Sequence, residues 1–180
     1  KRDTWRIICK AVTMQPALPA DGHDRARHPA RDDSTRHRIL VATAEVLGRT
    51  GKTKLSLSDV AAQAGVSRPT LYRHFADKRE LLNEFVVWER ELYEQAIATA
   101  TTDVPAEQRL DAALQVIVQY QLSYPGLRMV DVEPDQVIRR LARVIPQLRE
   151  RLQRLCTGPD AELSAATAVR VAVAQYLVRS

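Results

Sequence analysis

Residues 55–82 read LSLSDVAAQAGVSRPTLYRHFADKRELL, with apolar residues at helical spacing almost throughout and Gly65 and Pro69 in the middle. In one continuous helix that glycine and proline would cost about 1 and about 3 kcal/mol. Two short helices meeting at a corner remove the conflict. Ser56 is placed to cap the first, with Asp59 three residues on, at the positive end of the helix dipole. That helix covers 57–64 and stops at Ala64-Gly65, where glycine permits a tight turn. Ser67 caps the second, and Pro69 falls in its first turn, where a missing N–H costs nothing. Val60, Ala61, Ala64, Val66 and Leu71 supply the apolar or small contacts that a steep crossing needs. The stretch therefore reads as helix–turn–helix, with Leu71 and Phe75 facing inward.

Upstream, STRHRILVATAEVLGRTG (34–51) starts with a capping serine, sets Ile39, Leu40, Ala44 and Leu47 along one face, and ends at Gly51. Before it, QPALPADGHDRARHPARDD (15–33) mixes Pro, Gly, Ala and charge without apolar period, which predicts a disordered leader over 1–33. Met14 is a candidate natural start within that leader. Downstream, Asp77 opens a helix to about Ala100 whose wide apolar face implies cover on more than one side. Asp103-Val104-Pro105 opens another to Ser123, and Tyr124-Pro125-Gly126 is a turn signal. Pro134 opens a helix, Pro146 restarts the chain into QLRERLQRLC, and Asp160 caps a last Ala/Val-rich helix after Thr157-Gly158-Pro159. With no strand pattern and no internal repeat, the fold class is all-α.

The charge is unevenly placed. Residues 1–80 hold 16 Lys/Arg against 9 Asp/Glu, whereas residues 81–180 hold 11 against 13. A basic N-terminal part points to a polyanion, or to no more than a soluble basic tail. The two cysteines, Cys9 and Cys156, form no metal or redox motif, and His23, His28, His37 and His74 lack metal-ligand spacing. No apolar run reaches the roughly 18 residues of a membrane span, and the opening KRDTWRIICKAV is a poor signal peptide. A reduced, cytoplasmic protein is the simplest expectation. No nucleophile–base pair, metal cluster or phosphate loop stands out, so an enzyme is the weakest reading, and neither cofactor nor metal is expected.

Over residues 34–82 the chain resembles the tetracycline-repressor (TetR) family of bacterial one-component transcription regulators. The pieces that carry the resemblance are RHRILVATAEVLGRTG, SLSDVAAQAGVS and TLYRHFADKRELL, in the family's order and spacing. It implies a three-helix helix-turn-helix DNA-binding domain over 34–80, followed over 81–180 by a helical ligand-sensing and dimerisation domain. The implied function is a homodimeric repressor that binds a palindromic operator and is released by a small-molecule ligand. The family commonly dimerises through two C-terminal helices. This chain ends at VAVAQYLVRS, within or just after the first of them, so dimerisation either uses less surface or lacks the last helix.

A short helix entering the roughly 12 Å major groove reads base edges with residues near its N-terminus. Those positions hold Ser67, Arg68, Pro69, Thr70 and Arg73. Arg68 or Arg73 can grip a guanine, and Thr70 a thymine methyl or a phosphate. Tyr72 and His74 resemble the family's phosphate-contacting pair; Lys78 adds its charge to a helix N-terminus, and Arg36 and Ser56 flank the site. As plain structure these are solvated charges, packing residues and a cap. Arg25, Arg27 and Arg31 resemble a minor-groove arm, or are simply a floppy basic stretch. For the ligand, Trp88, Tyr93, Tyr120, Tyr124 and Met129 are large enough to line a cavity, though each is equally explained as core. The arginines at 139, 140, 143, 149, 151 and 154 invite an anionic ligand, but such runs are usually a solvated face. The competing reading is a helical interaction module that has lost specific DNA reading, and it predicts only weak, sequence-independent binding.

Overall fold

The computed structural model describes residues 29–178. Helices α1 (Pro29–Lys54), α2 (Leu57–Ala64) and α3 (Arg68–His74) form the N-terminal unit, and α4 (Lys78–Thr101) leads out of it. Beyond lie α5 (Arg109–Ser123), α6 (Met129–Val132), α7 (Pro134–Leu155) and α8 (Ala161–Leu177), with 3-10 turns at Ala106–Gln108 and Pro125–Arg128. No strand occurs among the described residues.

The corner between α2 and α3 forms as its residues predict. Ser56 Oγ accepts the Asp59 N–H at 3.1 Å. Gly65 is left-handed at φ 63°, and its N–H and that of Val66 return to the carbonyls of Ala62 and Ala61. This double closure satisfies the last turn of α2. A third lock comes from α1: the Arg38 guanidinium donates to the Ala64 carbonyl at 2.7 Å. Ser67 Oγ accepts the Thr70 N–H at 3.2 Å and so starts α3, with Pro69 in the first turn.

Two apolar clusters hold the molecule. The first unites Ile39, Leu40, Val46 and Leu47 of α1 with Val60, Leu71, Phe75, Leu81 and Phe85, and it also takes in Tyr124, Met129 and Val137. The second joins Ile97, Ala113, Ile117, Leu152, Ala165, Val169 and Ala172. Helix α4 runs through both, at about 1.5 Å per residue, with Leu81, Phe85 and Leu92 in one and Ile97 in the other.

The structure departs from the sequence reading in several places. Residues 1–28 lie outside the described residues. Helix α1 already starts at Pro29 rather than at Ser34. Proline suits a first helical position. At the far end α1 bends at Gly51 (φ 73°, ψ 175°) and continues to Lys54. Pro146 does not restart the chain: α7 is continuous through it. Ala142, whose carbonyl loses its helical partner there, is exposed together with Pro146, so water can satisfy it. Asp103 and Asp160 do not cap their helices. The Ala106–Gln108 turn, closed by the Gln108 N–H on the Pro105 carbonyl, precedes α5, and α8 starts without a side-chain cap. The expected turn at 124–126 is likewise a 3-10 turn that runs into α6.

Leu71 is fully buried at the centre of the corner. Leu71→Ala is expected to lower the free energy of urea unfolding by about 2–5 kcal/mol. A loss within the scatter of surface substitutions would contradict the packing described.

Candidate nucleic-acid interface

Helix α3 divides cleanly. Leu71 and, at its C-terminal end, Phe75 are buried, whereas Ser67, Arg68, Pro69, Tyr72 and Arg73 are exposed and Thr70 and His74 half-buried. With seven residues it is too short to be stable alone. It is a rigid platform only because Ser67 caps it and Leu71 and Phe75 anchor it. Tyr72 keeps 53% of its surface open, unusual for so large a side chain in a small domain. The Ser67 and Thr70 hydroxyls lie 2.8 Å apart and hold each other.

The flanking residues are more committed. Ser56 is occupied as the cap of α2. Arg36 pairs with Glu84 of α4 and sits 5.9 Å from the Phe75 ring centroid, so its charge is offset and its role is to fix α1 against α4. Lys78 opens α4, whose start is closed by the Glu80 N–H on Asp77 Oδ1 at 2.8 Å and the Ala76 N–H on Glu80 Oε2 at 2.5 Å. Its ammonium donates to the Thr53 carbonyl at 3.0 Å, which engages one of three donors. Beside it an open cleft of about 310 Å³ is lined by Lys52, Lys78, Arg79, Leu82 and Asn83. Sequence reading missed Lys52 and Arg79. They become neighbours of the site only because the bent end of α1 meets the start of α4. The arm candidates Arg25 and Arg27 lie outside the described residues.

In the second half a polar network sits inside the bundle. Glu89 of α4 is buried, pairs with Arg140 of α7, and accepts the Tyr120 hydroxyl at 2.9 Å. Burial first, then the Glu89 carboxylate, pushes the Tyr120 and Tyr124 hydroxyls well above the ordinary phenol range. Tyr120 stacks on Tyr124 at 5.0 Å and meets Tyr93 edge-on at 5.3 Å. A cavity of about 360 Å³ opens between α4 and α5, lined by Leu92, Ala96, Ala100, Ala112, Gln115, Val116, Gln119 and Tyr120. Of the five predicted lining residues, Tyr120 alone borders it. Tyr93 and Tyr124 pack against Tyr120, Met129 lies in the first core, and Trp88 meets His37 edge-on at 5.6 Å. The arginine run on α7 is partly spent on carboxylates: Arg140 on Glu89, Arg151 on Glu94 at 2.6 Å and Arg154 on Glu150 at 2.5 Å. No cluster of metal-ligating residues occurs among the described residues.

Residues 39–85, which hold the α2–α3 corner and the start of α4, match the model for bacterial regulatory proteins of the tetR family. These residues carry the DNA-binding unit of that family. The chain is 33% identical over 108 residues to the HTH-type transcriptional activator FasR of Mycolicibacterium smegmatis, covering 57% of this chain and 47% of that protein. It is 34% identical over 103 residues to the transcriptional repressor LfrR of the same species, covering 57% and 52%. The chain thus spans about half the length of these curated relatives. A solved gamma-butyrolactone receptor (ArpA-like protein) shares the fold, with a TM-score of 0.59 at 23% identity over 83% of this chain and 81% of that one. Among the described residues no helix is long and apolar enough to cross a membrane.

Breaking a buried ion pair from one side costs about 3–5 kcal/mol. The Arg140 side chain is 37% exposed, so water relieves part of that cost. Glu89→Ala is therefore expected to lose about 2–3 kcal/mol in urea unfolding. Replacing both partners by leucine should recover most of it. A single-variant loss below that of an ordinary surface pair would show that Glu89 is not the hub of the network.

Proposed function

We propose that this protein is a ligand-responsive DNA-binding regulator of the TetR family that acts in the bacterial cytoplasm as a homodimer on a palindromic operator, with no enzymatic role. The observation that carries the reading is α3: a short helix capped by Ser67, anchored by Leu71 and Phe75, and offering Arg68, Thr70, Tyr72 and Arg73 outward. Its N-terminal residues suit base edges in a major groove. Tyr72, His74 and Lys78, with Lys52 and Arg79, suit the phosphates on either side. Ser56 and Arg36 hold the platform. The first 80 residues carry the basic excess that a polyanionic partner favours.

The dimer reading is supported by apolar side chains left open on α8, Leu163 and Val171, with Val178 just past its end, and on α5, Val118 and Leu122. A second copy would cover such a surface. The cavity between α4 and α5 is the proposed effector site: mostly apolar, with Gln115, Gln119 and Tyr120 as its polar groups. Occupancy there bears on α4, the helix that also carries the reading unit. Release from the operator, and so relief of repression, is the output this geometry favours.

Selection of purified protein against random duplex DNA, with winners titrated across salt, tests the reading. A palindrome bound with a steep salt dependence is expected. Weak binding indifferent to sequence would instead favour an interaction module. In a folded Arg68→Ala/Arg73→Ala double variant each lost base contact should cost about 1–3 kcal/mol of discrimination. Selectivity that survives in it would place the readout elsewhere.

A further inference from the structure

Behind the reading unit three pieces of chain converge: the bent end of α1, the start of α4, and Glu133 at the junction of α6 and α7. The Glu133 carboxylate accepts the Thr53 N–H on Oε1 and the Lys52 N–H on Oε2, both at 2.8 Å, across some eighty residues of sequence. These donors lie just past Gly51, whose φ of 73° and ψ of 175° fall in a region that is essentially glycine's alone. A Cβ on Gly51 would stand 2.7 Å from Glu133 Cδ and 2.9 Å from its Cγ, so the acidic side chain lies directly over the bend. The Thr53 peptide is held from its other side as well, because Lys78 donates to its carbonyl. Lys78 is the first residue of α4, and only Phe75, Ala76 and Asp77 separate it from α3. Partial burial alone would raise the Glu133 carboxyl, but its bonds to Thr53 and Lys52 and the nearby charge of Lys78 prevail and hold it below the usual range.

We infer that Glu133 is a positioning residue for DNA reading: from the α6–α7 junction its carboxylate fixes the Gly51–Thr53 bend, and through the Thr53 carbonyl on Lys78 it sets where α4 begins and how α3 is presented. The inference rests on the reading of α3 as the DNA-contacting helix. Pro125–Arg128 and α6 pack along α1, so a shift of the segment before Glu133 withdraws the carboxylate without touching α3. Lys52 and Thr53 then lose the acceptor of their N–H groups, the bend relaxes, and the first turn of α4 loses its fixed seat. The interaction is one that two positions of a segment can switch, as a coupling element requires.

The test pairs amide hydrogen exchange at Lys52 and Thr53 with affinity for an operator selected by the wild-type protein, in Glu133→Ala and Glu133→Gln. Both amides should exchange about tenfold faster or more in Glu133→Ala, and less so in Glu133→Gln, whose side-chain oxygen still accepts one bond. Operator affinity should fall about tenfold in Glu133→Ala, within the range of ordinary coupling, and partially in Glu133→Gln. If Glu133→Ala does not fold, Glu133→Gln carries the comparison alone. Faster amides with unchanged operator affinity would reduce Glu133 to a local cap and overturn the role, as would amides that do not respond. A wild-type protein that selects no DNA would overturn the functional reading and this role together, and that outcome is distinct from a wild-type protein that selects an operator which the Glu133 variants bind equally well.

Discussion

The exposed face of α3 depends on one tight reversal of the chain, Gly65-Val66-Ser67. Its left-handed glycine turns α2 into α3 within three residues, and everything presented outward is fixed by how firmly that turn is closed. Four hydrogen bonds act on it: the two backbone bonds from Gly65 and Val66, that of the Arg38 guanidinium to the Ala64 carbonyl, and the Ser67 cap. Each hydrogen bond contributes only about 1 kcal/mol net. The larger share comes from Leu71 and Phe75, whose burial is worth about 1.5–3 kcal/mol apiece. Polar groups set the angle of the corner, and apolar groups supply the stability that keeps it.

Helix α4 extends that order into the second half. It contributes to both apolar clusters, and its carboxylates reach α7 at two heights, Glu89 to Arg140 and Glu94 to Arg151. These pairs differ in kind. Glu94 and Arg151 are partly exposed, and such a pair is worth at most about 1 kcal/mol. Glu89 is buried and also holds Tyr120, so its pairing fixes the register of α4, α5 and α7 rather than adding much to stability. The cavity lies beside Tyr120, one hydrogen bond from that register point.

The corner, its two serine caps, the Asp77 cap and the inward Leu71 and Phe75 were all legible in the sequence. Each follows from a local rule acting over three or four residues: a cap, a glycine stop, a first-turn proline. The second half was less legible for the same reason. Pro146 looks like a break because a local rule cannot see that Ile145, Leu148 and Leu152 around it pack into the second core and carry α7 through. Glu89 reads as one more surface acid, since its partners Tyr120 and Arg140 lie 31 and 51 residues away. Glu133 gives no signal at all, because its partners are backbone N–H groups, which carry no residue identity. The predicted lining residues were chosen for size. The cavity is instead bordered by Ala96, Ala100 and Ala112, and space opens where side chains are small.

The first apolar cluster joins the N-terminal helices to the second half of the chain. Tyr124, Met129 and Val137 pack into the same body as Ile39, Leu47, Val60 and Phe85. The N-terminal unit is therefore not a cassette. A fragment ending after residue 85 would leave bare the side of the first cluster that Tyr124 and Met129 now complete, and a chimera joining this unit to a foreign C-terminal half would inherit the same exposed side. Recombination that respects the chemistry has to carry the segment from Tyr124 to Val137 along with α1–α4. By the same reasoning, substitutions at Met129 will be tolerated or rejected according to what α1 contributes to the cluster they share, so that the two halves of the chain evolve as one unit.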